Sequence, residues 1–137
     1  MRKLDKLRDL DTFTIAYIQC ALWSTTDEST PEGGYPLDDN YDAEDLTNKA
    51  LDNIIADCDA FQEDNAEDLS GLADGYAEDL SRLADGCCGH DFWLSRNGHG
   101  AGFWDCGYGE LGNRLHKAAK VYGECNIYVH RGKLHIQ

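Results

Sequence analysis

Between residues 11 and 91 the chain carries 21 Asp and Glu against only two cations, Lys49 and Arg82, a net charge of −19. Carboxylates are almost never buried unless paired, so whatever this block folds into must turn a narrow apolar stripe inward and leave acids on its other faces. The flanks differ. Residues 1–10 are net +2 and residues 92–137 net +3, which leaves −14 for the whole chain. A surface of this sign suits a basic protein partner and is a poor match for nucleic acid itself, whose phosphates need cations. The apolar fraction, 42% of 137 residues, is enough for one globular core and one domain, 1–137.

Apolar periodicity divides that domain into an acidic helical half, 11–86, and a second half, 87–137. Asp11 or Thr12 can cap a helix reaching about Trp23, with Ile15, Ile18 and Leu22 on its inner face. A loop rich in Pro and Gly follows. Asp42 then opens a second helix, with Glu44 and Asp45 in its first turn and Leu46, Ala50, Ile54, Cys58 and Phe61 as its stripe. Next, ten residues beginning at Ala66 recur from Ala77 with an eleven-residue period, close to three helical turns, which predicts one lengthened helix ended by Gly86. Beyond it, residues 91–95 and 102–105 flank Asn97-Gly98 as a hairpin would. Residues 111–122 read as a helix, and residues 126–130 and 133–136 as a second hairpin around Arg131-Gly132. The expected class is α+β: acidic N-terminal helices packed with a small, mostly antiparallel sheet of two hairpins and one intervening helix.

Several constellations could carry chemistry. Asp38, Asn40 and Asp42 resemble the start of a calcium loop, but Ala43 and Lys49 stand where Gly and a bidentate Glu are required. Cys87, Cys88, His90, His99 and Cys106 suggest zinc, yet no C-x-x-C pair occurs and adjacent cysteines are awkward ligands for one ion. No metal or cofactor is expected. The six cysteines read as free thiols of a reducing compartment, and residues 13–23 read as a core helix, neither a signal peptide nor a membrane span. His90, Asp91, Arg96, His99 and Asp105 could form a general-base or anion-binding site at the first hairpin, walled by Trp93 and Trp104. The competing reading is a tight glycine-bearing turn packed by aromatic rings.

The run Gly89-His-Asp-Phe-Trp-Leu-Ser-Arg-Asn-Gly-His-Gly-Ala-Gly-Phe-Trp-Asp105, followed by Gly109-Glu-Leu-Gly112, resembles a family of small acidic proteins encoded by tailed bacteriophages. The likeness extends through residues 13–23, 37–41 and 57–65 and on to Tyr128 and Leu134. Ser95 stands where the family usually has Thr, and Cys106 where it usually has Arg. Cys87, Cys88 and the eleven-residue duplication are particular to this chain. The resemblance implies a phage origin and a place in the host bacterial cytoplasm, and it brings no activity with it.

Two functions are expected on these grounds. The first is a non-enzymatic inhibitor or modulator of a host defence or nucleic-acid-binding protein, such as a CRISPR or restriction complex. Asp38, Asp39, Asp42, Glu44, Asp45, Asp57, Asp59, Glu63, Asp64, Glu67, Asp68, Asp74, Glu78 and Asp79 would present carboxylates in place of phosphates to a basic host protein. The alternative is a small enzyme or ligand-binding protein using His90, Asp91, Arg96, His99 and Asp105. The family likeness is densest in that second segment.

Overall fold

The computed structural model describes residues 3–27, 34–75, 87–98, 102–103 and 109–137. Six helices and two small sheets follow in the order α1 (Lys3–Arg8), α2 (Thr12–Ser24), β1 (Thr26–Asp27), β2 (Tyr35–Pro36), α3 (Asn48–Asp64), α4 (Ala66–Gly75), α5 (Cys87–Arg96), α6 (Gly109–Lys120), β3 (Ile127–His130) and β4 (Lys133–Ile136). Two 3-10 turns, Leu37–Asp39 and Ala43–Asp45, bridge β2 and α3. Each sheet is an antiparallel pair. The class is α+β, as the sequence predicts. Among the described residues no helix is long and apolar enough to cross a membrane.

Local signals account for most of these boundaries. Asp11 caps α2 by accepting the Thr14 N–H at 2.8 Å. The inner face of α2 includes Phe13, Ala16, Tyr17, Ile18, Ala21 and Leu22, while Ile15, expected inside, is exposed. Asp42 does initiate a turn, but a 3-10 one: Asp42 Oδ1 accepts from Glu44 N and Asp45 Oδ2 from Asp42 N, both at 2.9 Å. The long helix α3 starts one step later on Thr47, whose Oγ1 takes the Ala50 N–H at 3.1 Å. Ala50, Leu51, Ile54, Cys58 and Phe61 form its buried stripe. The first copy of the eleven-residue repeat is α4; the second lies outside the described residues.

Among the described residues the expected hairpin at 91–105 does not form: its first strand is helix α5, and Gly102 lies in a bend. Asn97-Gly98 ends that helix, with Gly98 at φ +66 and its N–H on the Ser95 carbonyl at 3.3 Å. A left-handed glycine serves a helix C-terminus as well as a type I′ turn, and that ambiguity misled the reading. The C-terminal hairpin lies where expected, pairing Ile127 with Ile136 and His130 with Lys133. Both turn residues, Arg131 at φ +54 and Gly132 at φ +72, take the left-handed conformation that matches strand twist. Leu134 ties the hairpin to the helical half: it bridges Leu46, and its carbonyl accepts Thr47 N–H at 3.0 Å.

The core is aromatic and gathers α2, α3, α5 and α6. Phe61 stacks on Phe92 at 4.2 Å between centroids, Tyr17 meets Trp93 edge-on at 5.3 Å, and Phe13, Phe103 and Tyr122 close the cluster. The tightest approach is at Gly89 of α5, where a Cβ would stand 2.0 Å from the Phe13 carbonyl oxygen and 2.9 Å from Tyr17 N. Glycine costs a helix about 1 kcal/mol, a small charge for letting two backbones touch. Gly89→Ala is therefore expected to cost about 3 kcal/mol or more, because the obstacle is backbone that cannot rotate away. Gly71→Ala in α4 meets only the movable Leu111 side chain at 3.3 Å, and should be neutral or slightly stabilising. Urea midpoints of the two variants check this contrast.

Candidate functional site

Helix α5 distributes the dense 89–98 segment among structural jobs. His90 is exposed, whereas Asp91, Phe92, Trp93, Ser95 and Arg96 are buried. Trp93 Nε1 donates to Ser24 Oγ at 2.8 Å. Asn97 Oδ1 accepts the Cys125 N–H at 2.7 Å and its amide donates to the Trp93 carbonyl at 2.9 Å, fixing the chain that leads into β3. Ser95 Oγ accepts Phe103 N–H at 3.2 Å and lies 3.0 Å from His116 Nδ1. Burial, with Lys120 beside it, holds the His116 pKa below the ordinary imidazole value, so at neutral pH the ring can accept the Ser95 hydroxyl proton. Gly102, at φ +124, leaves room for this arrangement; a Cβ there would lie 2.3 Å from Ser95 Oγ.

Arg96 is the joint of the molecule. Nε donates to the Gly123 carbonyl at 2.9 Å and Nη2 to the Tyr122 carbonyl at 3.1 Å, so the guanidinium closes the C-terminal end of α6. Nη1 donates to Tyr17 Oη on α2 at 3.1 Å and to Asp57 Oδ2 on α3 at 2.9 Å. The Phe92 and Tyr122 rings lie 5.7 and 5.6 Å from its Cζ. Burial disfavours its charge, but Tyr17 and the Asp57 carboxylate outweigh that and raise its pKa above the usual guanidinium value. A side chain committed to four partners is not offering itself to an anion. Of the alternative site, then, His90 faces solvent, Asp91 and Arg96 are buried, and His99 and Asp105, like Trp104, lie outside the described residues.

The expected partner surface divides into acids the fold uses and acids it leaves outside. Asp57 holds Arg96, Asp68 takes Arg114 through two contacts at 2.9 and 3.2 Å, and Asp42 and Asp45 cap each other's turn. Asp52, next to these, pairs with Lys6 at 2.6 Å. Asp38, Asp39, Glu44, Asp59, Glu63, Asp64 and Glu67 are exposed, and among the described residues no ion pair engages them. The side chain of Asp74 and residues Glu78 and Asp79 lie outside the described residues. Asp59 and Glu63, four residues apart, share one face of α3, and the exposed Asp64 and Glu67 follow on either side of the break at Asn65.

Sequence reasoning missed Tyr17 and His116, and gave Asn97 to a turn where it holds the Cys125 backbone. Each acts on a group far along the chain, and their local patterns carry no sign of it. The thiols show a similar commitment to the interior. Burial, with the Asp91 carboxylate adding to it, pushes Cys20 up to about 12; burial also raises Cys58 and Cys125. Among the described residues no three His, Cys, Asp or Glu side chains gather as a metal site would need. No protein-family model, curated protein or solved structure matches the chain.

Two outcomes are expected. Arg96→Lys should destabilise by about 2–3 kcal/mol, since a single ammonium cannot reach carbonyls, hydroxyl and carboxylate together. Asp57→Asn should cost about 1 kcal/mol or less, its side chain being 39% exposed. Denaturant titration distinguishes the two. Iodoacetamide at pH 8 should leave Cys20, Cys58 and Cys125 unmodified until urea unfolds the chain, as peptide mass spectrometry would show.

Proposed function

We propose that the protein is a phage-encoded, non-enzymatic inhibitor or modulator of a host defence or nucleic-acid-binding protein, acting in the bacterial cytoplasm through its acidic surface. The observation that carries this reading is the exposed set Asp59, Glu63, Asp64 and Glu67, which forms no ion pair among the described residues. Nearby cations go elsewhere: Lys6 to Asp52, Arg96 to Asp57, Arg114 to Asp68. Like charges left side by side destabilise a helix by a few tenths of a kcal/mol per pair, and solubility needs far less than a net −14. A basic groove built for phosphates would relieve that repulsion on binding. The resemblance to small acidic phage proteins supports the setting. The alternative, a small enzyme or ligand-binding protein, gains little from Arg96, which is buried and has four of its five N–H donors occupied within the fold.

The test is genetic and then physical. Expressed in bacteria with an active restriction or CRISPR system, the protein should raise the transformation efficiency of a targeted plasmid tenfold or more. The variant Asp59→Asn, Glu63→Gln, Asp64→Asn, Glu67→Gln should lose that effect while keeping its melting temperature. Full protection by the neutralised variant would end the acidic-surface reading.

A further inference from the structure

Helix α2 carries a second surface whose composition the acidic block does not explain. In a chain that is 28% charged, its thirteen residues include no charged side chain. Its outer face is nonetheless open to water: Ile15 is 41% exposed and Trp23 66%, and with Gln19 they recur every four residues as one stripe. Beside that stripe runs a groove of about 370 Å³ between α2 and the two 3-10 turns. Its floor is Ile18 and Leu22, one wall is Tyr41, and its rim carries Asp38 and Asp42. A soluble protein normally places charge on such a face. Where Ile15 and Gln19 line an apolar cleft and an exposed Trp23 continues their stripe one turn on, they mark a contact surface.

We propose that this groove docks an amphipathic, basic helix of a partner protein, apolar residues against Ile15, Ile18 and Trp23 and Lys or Arg against the Asp38 and Asp42 rim. Charge complementarity selects this occupant. A second copy meeting groove to groove would set Asp38 and Asp42 against their own kind. Leu10 also lines a neighbouring groove of about 340 Å³ whose walls carry Asp9, Asp11, Asp52 and Asp59 against the one cation Lys6, which is paired with Asp52, so the lining stays net negative. The apolar cleft thus leads into an acidic one, and a helix laid along it would meet carboxylates along its length. The inference rests on the proposed function in one respect, that the partner is basic; what it adds is an apolar anchor and a helical shape.

The probe is a fluorescein-labelled sixteen-residue peptide of Leu and Lys with the leucines on one helical face. Its control has the same composition with the leucines spread around the helix. Fluorescence anisotropy at 0.15 M salt should show the amphipathic peptide binding at least tenfold more tightly than the control. Trp23→Ala with Ile15→Thr should weaken it tenfold or more, and both positions are exposed enough to leave the melting temperature unchanged. The variant neutralised at Asp59, Glu63, Asp64 and Glu67 should retain the preference for the amphipathic peptide. Equal binding of the two peptides, or unchanged affinity in the Trp23 and Ile15 variant, overturns the groove without touching the acidic-surface reading. A dimer in sedimentation that disappears with Trp23→Ala also overturns it, by giving the stripe to a second copy.

Discussion

The contact on which the rest of the structure depends is the meeting of α2 and α5 at Gly89. There the missing side chain lets one helix rest against the Phe13 carbonyl of the other. At that separation Tyr17 reaches Trp93 and Phe92 on the facing helix, and Phe61 of α3 can stack on Phe92 from the third side. Any residue larger than glycine would lift α5 off α2, and the aromatic cluster would open with it. A block of acids contributes little to a core, so the chain concentrates its cohesion in a few large rings held at short range.

Arg96 secures the same arrangement by polar means. It is drawn from the cationic flank of the sequence and reaches into the acidic half, where Asp57 meets it. One guanidinium therefore joins α2, α3, α5 and the end of α6 through four of its five N–H donors. Lys6 and Arg114 repeat the theme more weakly at the surface. These three cations fasten parts of the fold to one another. Among the described residues the exposed Asp59, Glu63, Asp64 and Glu67 form no ion pair, and the outer stripe of α2 has neither sign.

Legibility followed the range of the interaction. Cap and periodicity signals are local, so α2, α6 and the C-terminal hairpin could be read within a few residues, and α3 along its buried stripe, although it begins six residues beyond the start that Asp42 offers. Asn97-Gly98 failed because one left-handed glycine answers two different needs, and Phe92-Trp93-Leu94 carries strand-favouring aromatics into a helix. Ile15 failed because the helix turned Phe13 and Tyr17 inward instead, where larger rings fill more space. As for the site, the excess of carboxylates was plain in the composition, but which of them the fold would consume was not. Asp57 and Asp59 are alike in sequence, and only the arrival of Arg96 from far downstream separates them.

The bond from Leu134 to Thr47 sets an order of events during synthesis. The start of α3 is completed by a strand made almost ninety residues later. At about 5–20 residues per second, that strand follows some 4–18 s behind. For part of that interval the nascent helices lack α5 over Phe13 and Phe61, and for all of it they lack the hairpin over Leu46. Their dense negative charge repels one growing chain from another throughout. The acidity of this half thus acts on the newborn chain as well as on the finished one.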